Sequence, residues 1–357
     1  MARVRWGLLA AALLLAAGGL VTIHSASSEL AIDYLPRQTV WVGLGLAVFV
    51  LALGIDYQLL AKLALPIYLL NLAALVAVLV LGERAGGARS WFAAGGFQLQ
   101  PAEFAKLATA LMLARYLGTV NRSVLAVGEI LVAAGITLVP MLLVVAERDL
   151  GGAAMFVPLL AGSLLVAGVR PRLLVGALLI VVVVGVVAWN FFLLDYQRER
   201  VLTFLDPERE PLGAGYQLQQ SKIAVGSGQI SGRGYLQGTQ SQLRFLPARH
   251  TDFVFAVLAE EWGFVGAAAV LGLYAFYVWN GAVIAGRARD RAGILLVVGL
   301  LSGFAFHVLY NTAMVIGLVP ITGIPLPFLS YGGSFTLATF IATGLVLNVD
   351  LRRHVNR

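Results

Sequence analysis

Long apolar runs separated by short polar stretches recur along almost the whole chain. A helix rises about 1.5 Å per residue, so a span across a membrane interior of about 30 Å needs roughly 20 mostly apolar residues. Runs of suitable length occur at residues 7–25, 39–54, 59–82, 101–117, 124–146, 152–169, 173–194, 253–285, 293–318 and 333–349. The pattern predicts an all-α polytopic membrane protein with ten transmembrane helices.

Composition agrees with this class and removes several kinds of chemistry. The sequence is 60% hydrophobic and only 12% charged, whereas soluble domains average about 25% charged residues. It contains no cysteine, which excludes disulfides, thiol nucleophiles and cysteine-based metal sites. The charged residues that remain therefore carry most of the information about topology and function.

Basic residues test the ten-helix arrangement, because cytoplasmic loops of membrane proteins collect Lys and Arg. With the N-terminus in the cytoplasm, the loops and ends on that side carry Arg3, Arg5, Lys62, Arg115, Arg122, Arg170, Arg172, Arg287, Arg289, Arg291, Arg352, Arg353 and Arg357. The short loops on the other side carry Arg37, Arg84, Arg89 and Arg148. This asymmetry predicts that both termini are cytoplasmic, and it explains the net charge of +7 without a nucleic-acid partner.

The same topology places a large extracytoplasmic loop, residues 195–251, between helices 7 and 8. This 195–251 segment is rich in Gly and Pro but also holds apolar residues, so we expect it to be packed over the outer face of a single domain spanning residues 1–357. It carries an excess of cations: Arg198, Arg200, Arg209, Lys222, Arg233, Arg244 and Arg249. Such an excess suggests an anionic ligand such as phosphate. The alternative is that these side chains pair with acids of the same segment.

The stretch that organises the chain is residues 245–266, where a polar segment runs into an apolar helix. Asp252 stands at the start of that helix, directly after Arg249, His250 and Thr251. Acidic side chains at membrane depth are costly unless they face a cavity or a partner, so they are functional candidates. We therefore predict that Asp252 is the central residue of a site and that His250 is its hydrogen-bond partner.

Further polar residues fall at the same ends of the predicted helices: Glu103, Lys106, Asp149, Asn311, Ser330, Tyr331 and Ser334. Glu103 and Lys106 are three residues apart and so share one helix face. Two prolines prevent a regular helix just before Ser330, and broken backbone at membrane depth indicates a cavity wall. A structural ion pair explains Glu103 and Lys106 equally well, and the charges around Asp149 fit a solvated turn.

Several stretches resemble motifs of the SEDS family (shape, elongation, division and sporulation): QPAEFAK, YQRERVLTFLDPERE, PLGAGYQLQQSKIAVGSG, GTQSQLRFLPARHTDFVFAVLAEEWGFVG and PLPFLSYGGS. They run in family order from the fourth predicted helix to the last. The fourth stretch is more similar to the elongation branch than to the division branch, and the sporulation branch stays an alternative. Two positions depart from the family pattern. Ala102 stands where the family has Ser, and Glu147-Arg148 replaces Gln-Pro.

The resemblance implies a peptidoglycan glycosyltransferase that polymerises lipid II during cell elongation. It would lie in the bacterial cytoplasmic membrane with its site on the extracytoplasmic side. Its partners would be a class B penicillin-binding protein, which is a transpeptidase, and other membrane proteins of the elongation complex. Asp252, in the HTDF motif, occupies the position of the family's catalytic acid. Glu103, Lys106 and Asp149 would orient the diphosphate or hold a divalent cation, Mg²⁺ or Mn²⁺.

Two other functions fit the same residues. A lipid II flippase would use the same acids and lipid-facing walls, but it needs a path to the cytoplasm and no general base. A scaffold that only recruits the penicillin-binding protein would not depend on Asp252.

Overall fold

The computed structural model describes residues 4–28, 30, 32–85, 88–94, 97–191, 195–211 and 213–353. Most of this part of the chain is helical. The helices are α1 (Gly7–Ser27), α2 (Leu35–Gly54), α3 (Tyr57–Lys62), α4 (Ala64–Leu81), α5 (Pro101–Gly118), α6 (Val127–Ala146), α7 (Leu150–Ala154), α8 (Phe156–Ala167), α9 (Pro171–Phe191), α10 (Asp195–Leu205), α11 (Ala214–Ser227), α12 (Thr239–Gln242), α13 (Val254–Arg287), α14 (Arg291–Val315) and α15 (Gly333–Arg352). A short 3₁₀ helix, Pro207–Arg209, and three strands complete the described elements.

Eight stretches of the described chain are long and apolar enough to cross a membrane: Trp6–Ser27, Leu35–Gly54, Ala64–Leu81, Val127–Ala146, Leu150–Ala167, Val254–Arg287, Arg291–Val315 and Gly333–Arg352. They match eight of the ten predicted helices, with ends that differ by a few residues. Of the other two, α5 carries three charged side chains, and some side chains of α9 lie outside the described residues. The prediction of a polytopic helical membrane protein is confirmed at this level.

A small antiparallel sheet between α4 and α5 departs from the all-helical prediction. Its strands are β1 (Glu83–Ala85), β2 (Ala88–Ala94) and β3 (Phe97–Leu99), in the order β1-β2-β3. In sequence, Gly-Gly pairs separate the three strands, and Gly-Gly between short β-prone segments is a hairpin signal. The sheet brings Ser90 and Trp91 of β2 to the end of the helical bundle where Asp252 lies.

The helices α2 and α15 pack along their length, and small residues set their separation. A Cβ atom added to Gly344 would lie 2.7 Å from the Cβ of Ala52, so only glycine fits at that point. At the other end of the contact, Gly333 lies directly against the indole of Trp41. Near the centre of the fold, α14 packs against α5, α8 and α13.

The 195–251 segment folds into α10, the 3₁₀ helix, α11 and α12, and it packs against α1, α13 and α14. Two buried carboxylates of α13 bind its backbone. Glu260 accepts a hydrogen bond from the Gln240 amide (2.9 Å), and Glu261 accepts one from the Leu236 amide (3.2 Å). These bonds join the 195–251 segment to the part of α13 that begins just after Asp252.

A break in α13 accommodates the same segment. Gly263 has φ 65° and ψ −163°, a conformation that favours glycine. Because the helical hydrogen bonds are interrupted there, the amides of Phe264 and Val265 donate instead to the carbonyls of Gln229 and Ile230 (2.8 and 3.1 Å). The break leaves a short N-terminal portion of α13 next to Asp252.

Candidate functional site

A cavity of about 970 Å³ lies at the end of the bundle that carries Asp252. Its walls come from the start of α2, the sheet, the start of α5, the α6–α7 turn, residues 250–252 and residues 323–335. The residues predicted from sequence that line it are Glu103, Lys106, Asp149, His250, Thr251, Asp252 and Tyr331. Polar or charged side chains from four separate parts of the chain therefore meet in one space.

The backbone of residues 250–252 is held in place by three hydrogen bonds, which form a carbonyl clamp. The amide of Tyr331 donates to the carbonyl of residue 250 (2.9 Å), and the Ser330 hydroxyl donates to that of residue 251 (2.6 Å). The Asn311 side-chain amide donates to the carbonyl of Asp252 (2.8 Å). Three consecutive carbonyls that no helix satisfies thus have fixed partners, and these bonds position Asp252.

Two of these donors also hold the neighbouring loop. The Asn311 amide donates a second bond to the carbonyl of Ile324 (2.8 Å), and the Ser330 hydroxyl accepts one from the Leu326 amide (2.8 Å). Asn311 and Ser330 are buried outside the cavity lining, so both act on the backbone of the site rather than on its contents.

The Asp252 carboxyl group lies in an environment suited to proton transfer. Burial raises its pKa to about 6, while a hydrogen bond with Thr251 and the positive charge of Arg200 lower it and the negative charge of Asp149 raises it. A carboxylate with such a pKa is mostly ionised near pH 7 and is basic enough to accept a proton.

Glu103 and Lys106 form a buried ion pair on the cavity wall. Their side chains are 8% and 13% exposed, and the Lys106 Nζ atom lies 2.8 Å from Glu103 Oε2. The same ammonium group lies 5.8 Å from the centre of the Phe335 ring. The pair as a whole is neutral, but both residues line the cavity, so an anion there can contact the Lys106 ammonium group.

Asp149 caps the short helix α7 and connects it to α5. Its Oδ1 atom accepts a hydrogen bond from the Gly152 amide (2.7 Å), and its Oδ2 atom accepts one from the Gln100 side chain (3.2 Å). The amide of Gln100 in turn donates to the Ser334 hydroxyl (2.9 Å), which links α5 to α15. Ser334 therefore supports the wall next to Asp149 and lies outside the cavity lining.

Glu147, two residues before Asp149, is a buried acid with an unusual pKa. The side chain is 1% exposed. Burial raises its pKa to about 8, against the lowering effect of the Ser90 hydroxyl, and the Asp149 charge adds to the rise. At pH 7 the group is mostly protonated, so it behaves as a neutral carboxylic acid beneath the sheet.

Three predicted cations lie outside the cavity lining within the described chain. The Arg198 guanidinium donates to the carbonyl of Asn190 (3.2 Å), the Lys222 side chain lies over Gly317, and Arg249 is buried at 2% exposure. The sequence indicated an excess of positive charge in this segment. It did not show in which direction each helix points its cationic side chains.

Different cations face the site instead. Arg37 of α2 lines the cavity, and the charge of Arg200 acts on Asp252. Sequence reasoning missed Arg37 together with Tyr34 and Trp41, which also line the cavity. Their spacing of three and four residues places them on one helix face, a signal that could have identified them.

His307 is a further residue that the sequence reasoning missed. It is 6% exposed, lines the cavity, and its Nδ1 atom lies 3.1 Å from the carbonyl of Pro325. Since a carbonyl only accepts, Nδ1 carries the hydrogen. His307 precedes Asn311 by one helical turn, so both lie on the face of α14 that contacts the 323–335 loop.

His250 does not make the predicted bond with Asp252, and its Nδ1 atom is buried without a hydrogen-bond partner among the described residues. The imidazole stacks on the ring of Tyr34, with ring centres 4.3 Å apart and an angle of 10° between the planes. Burial and the nearby Arg249 charge lower the pKa of His250 to about 4, so the ring is neutral at pH 7.

Comparisons with known proteins show the family to which the chain belongs. Residues 5–355 match a family model described as cell cycle protein, the FtsW, RodA and SpoVE family. The peptidoglycan glycosyltransferase MrdB of Escherichia coli K12 is 40% identical over 337 residues, which cover 93% of this chain and 90% of MrdB.

Two solved structures also match. A chain of a peptidoglycan synthase complex that coordinates polymerization and crosslinking has a TM-score of 0.86, with 35% identity and 99% of both chains covered. The rod shape determining protein RodA of Thermus thermophilus has a TM-score of 0.73 and 31% identity, covering 99% of this chain and 98% of that one.

Proposed function

Because the chain belongs to the FtsW, RodA and SpoVE family of cell cycle proteins, we propose that it is a peptidoglycan glycosyltransferase that polymerises lipid II during cell elongation. The observation that carries the proposal is Asp252, a carboxylate with a pKa near 6, held by the carbonyl clamp in a large cavity lined by acids and cations.

In the proposed reaction, Asp252 is the general base. It takes the proton of the acceptor sugar's 4-hydroxyl while that oxygen bonds to the anomeric carbon of the donor. The bond between that carbon and the diphosphate oxygen breaks, and the undecaprenyl diphosphate leaves with the bonding electrons. Attack from the opposite face inverts the anomeric carbon, which needs a single base and no covalent intermediate.

The leaving diphosphate gains negative charge as the bond breaks, so positive groups should lie near it. Lys106 on the cavity wall is the best placed, and Arg200 and Arg37 supply further charge. No group of three or more His, Asp or Glu side chains suitable for a metal occurs among the described residues. Asp149, which lines the cavity, is the residue that would hold a Mg²⁺ or Mn²⁺ ion, and a bound ion would supply positive charge for the leaving group.

The finer topology belongs to the same proposal. The chain is an integral membrane protein, and α5 and α9 add two spans to the eight long apolar stretches, which gives ten. Both termini would then be cytoplasmic, and the cavity and the 195–251 segment would face the extracytoplasmic side. Its partners would be a class B penicillin-binding protein and other proteins of the elongation complex, as the similarity to a polymerization and crosslinking complex suggests.

The test is lipid II polymerisation in detergent by the purified protein with its cognate penicillin-binding protein, transpeptidation being blocked by a β-lactam. Wild type should make glycan strands, and a folded Asp252→Asn variant should make none. Asp206→Asn is the matched control, because Asp206 is exposed in the 195–251 segment. Equal synthesis by wild type and Asp252→Asn would refute the role of Asp252 as general base. Transport of lipid II across vesicle membranes without glycan synthesis would favour a flippase.

A further inference from the structure

Three rings form an aromatic shelf on the cavity wall: Tyr34, His250 and Tyr331. The Tyr34 and His250 rings are nearly parallel, with centres 4.3 Å apart. Tyr331 is tilted by 58° to both, with centre distances of 4.8 Å to Tyr34 and 5.8 Å to His250. At neutral pH the His250 ring is uncharged, because burial and the nearby Arg249 charge lower its pKa to about 4.

Such a shelf has the chemistry of a sugar-binding surface. The face of an aromatic ring is electron-rich, and it attracts the weakly positive C–H groups along one face of a pyranose. Arg37 lines the cavity beside the shelf and interacts with the Tyr331 hydroxyl, so a hydrogen-bond donor is also available for sugar or carboxylate oxygens.

The shelf is continuous with the general base. His250 precedes Asp252 by two residues, and the Tyr331 amide donates to the His250 carbonyl within the carbonyl clamp. A sugar on the shelf therefore lies beside the group that must remove its proton.

The part of the cavity lined by Lys106 has different chemistry. There the cavity adjoins a small, mostly apolar slot of about 70 Å³ between α5, α8, α14 and α15. Five residues line both spaces: Glu103, Lys106, Met155, His307 and Phe335. A cation at the entrance of an apolar slot suits a diphosphate attached to a hydrocarbon chain. The aromatic shelf is then free to bind a sugar.

We propose that the aromatic shelf binds the acceptor sugar, with its 4-hydroxyl towards Asp252, while the lipid diphosphate of the donor lies at the Lys106 end. This assignment rests on the proposed glycosyltransferase function. It explains why Tyr34, at the start of a different helix, is stacked against the segment that carries the base.

The test separates the two substrates. A lipid II with its 4-hydroxyl blocked by an added galactose can act only as a donor, and a lipid II phosphonate that has no leaving group can act only as an acceptor. Their single coupling is measured with wild type, Tyr34→Leu, Tyr34→Phe and, as a control, Tyr235→Leu. Tyr235 is an aromatic residue of the 195–251 segment outside the cavity lining.

We expect Tyr34→Leu to raise the KM for the acceptor at least tenfold and to leave the KM for the donor within twofold. Tyr235→Leu should resemble wild type, whereas Tyr34→Phe, which keeps the ring, should restore most of the acceptor binding that Tyr34→Leu loses. An unchanged acceptor KM, or an equal rise in both KM values, would overturn the assignment. If Tyr34→Leu does not fold, Tyr331→Leu tests the same shelf by the same criteria. No product from wild type would refute the glycosyltransferase function itself, a distinct outcome.

Discussion

Replacing Glu147 by glutamine should remove a large pH dependence from the stability of the protein. Glu147 is buried, and burial raises its pKa from 4.5 to about 8. The folded protein therefore binds this proton more tightly than the unfolded chain. The resulting stabilisation is complete below about pH 4.5 and is lost as the pH rises through 8. Glutamine, which has nearly the same shape, does not titrate, and it is the residue that the family pattern places at this position.

The pKa of Glu147 in the folded protein determines how much the free energy of unfolding changes with pH. Between pH 6 and pH 8.5, a folded-state pKa of about 8 and an unfolded value of 4.5 give a loss of about 2.6 kcal/mol. With the unfolding entropy per residue of globular proteins, this loss lowers the melting temperature of a 357-residue chain by about 3 to 4 °C.

Thermal unfolding in detergent at a series of pH values measures the effect. The quantity to compare is the difference in melting temperature between wild type and Glu147→Gln, because other groups titrate equally in both. Glu208→Gln is the matched control, since Glu208 is exposed. A difference that stays constant from pH 6 to pH 8.5 would show that Glu147 is ionised throughout and that its pKa is not raised.

Three further predictions concern the site and the fold. The kcat/KM for lipid II should fall as the pH decreases through about 6, because only the ionised Asp252 accepts a proton; a profile that stays flat below pH 6 would contradict its role as base. Asn311→Leu should slow polymerisation about ten- to a hundredfold, because losing one donor of the carbonyl clamp costs about 1–3 kcal/mol, and an unaltered rate in the folded variant would contradict the clamp. Gly263→Ala should lower the melting temperature, because φ is 65° and the added Cβ would lie 2.6 Å from the carbonyl oxygen of Ile230; Gly272→Ala, which meets open space, should not.

The sequence predicted the helical framework well because hydrophobic run length is a direct physical requirement for crossing a membrane. It also brought Glu103, Lys106, Asp149 and Asp252 together, since each falls at the same end of a predicted helix. The common feature of these residues is position along a span, which can be counted from the sequence alone.

The rest of the site depends on how each helix is rotated about its axis and how the helices pack together. The length of a hydrophobic run specifies neither. Arg198 and Lys222 were predicted from charge, but the turn of each helix directs their side chains away from the cavity. Tyr34 and Arg37 enter it because α2 begins earlier than its apolar run, at Leu35. The sheet was missed because two of its three strands have only three residues each, too few to show a periodic pattern.

The contact between α2 and α15 also determines how the cavity can change shape. At Gly344 and Ala52 the two helices leave no room for an extra atom, so they cannot slide past each other without opening voids. The wall that holds the aromatic shelf should therefore move as one rigid body. Any widening that admits a long lipid or releases a growing strand must therefore come from α5, α8 and α14, which surround the apolar slot together with α15. During the catalytic cycle, the α2–α15 side of the cavity would then stay fixed while the helices on the other side move.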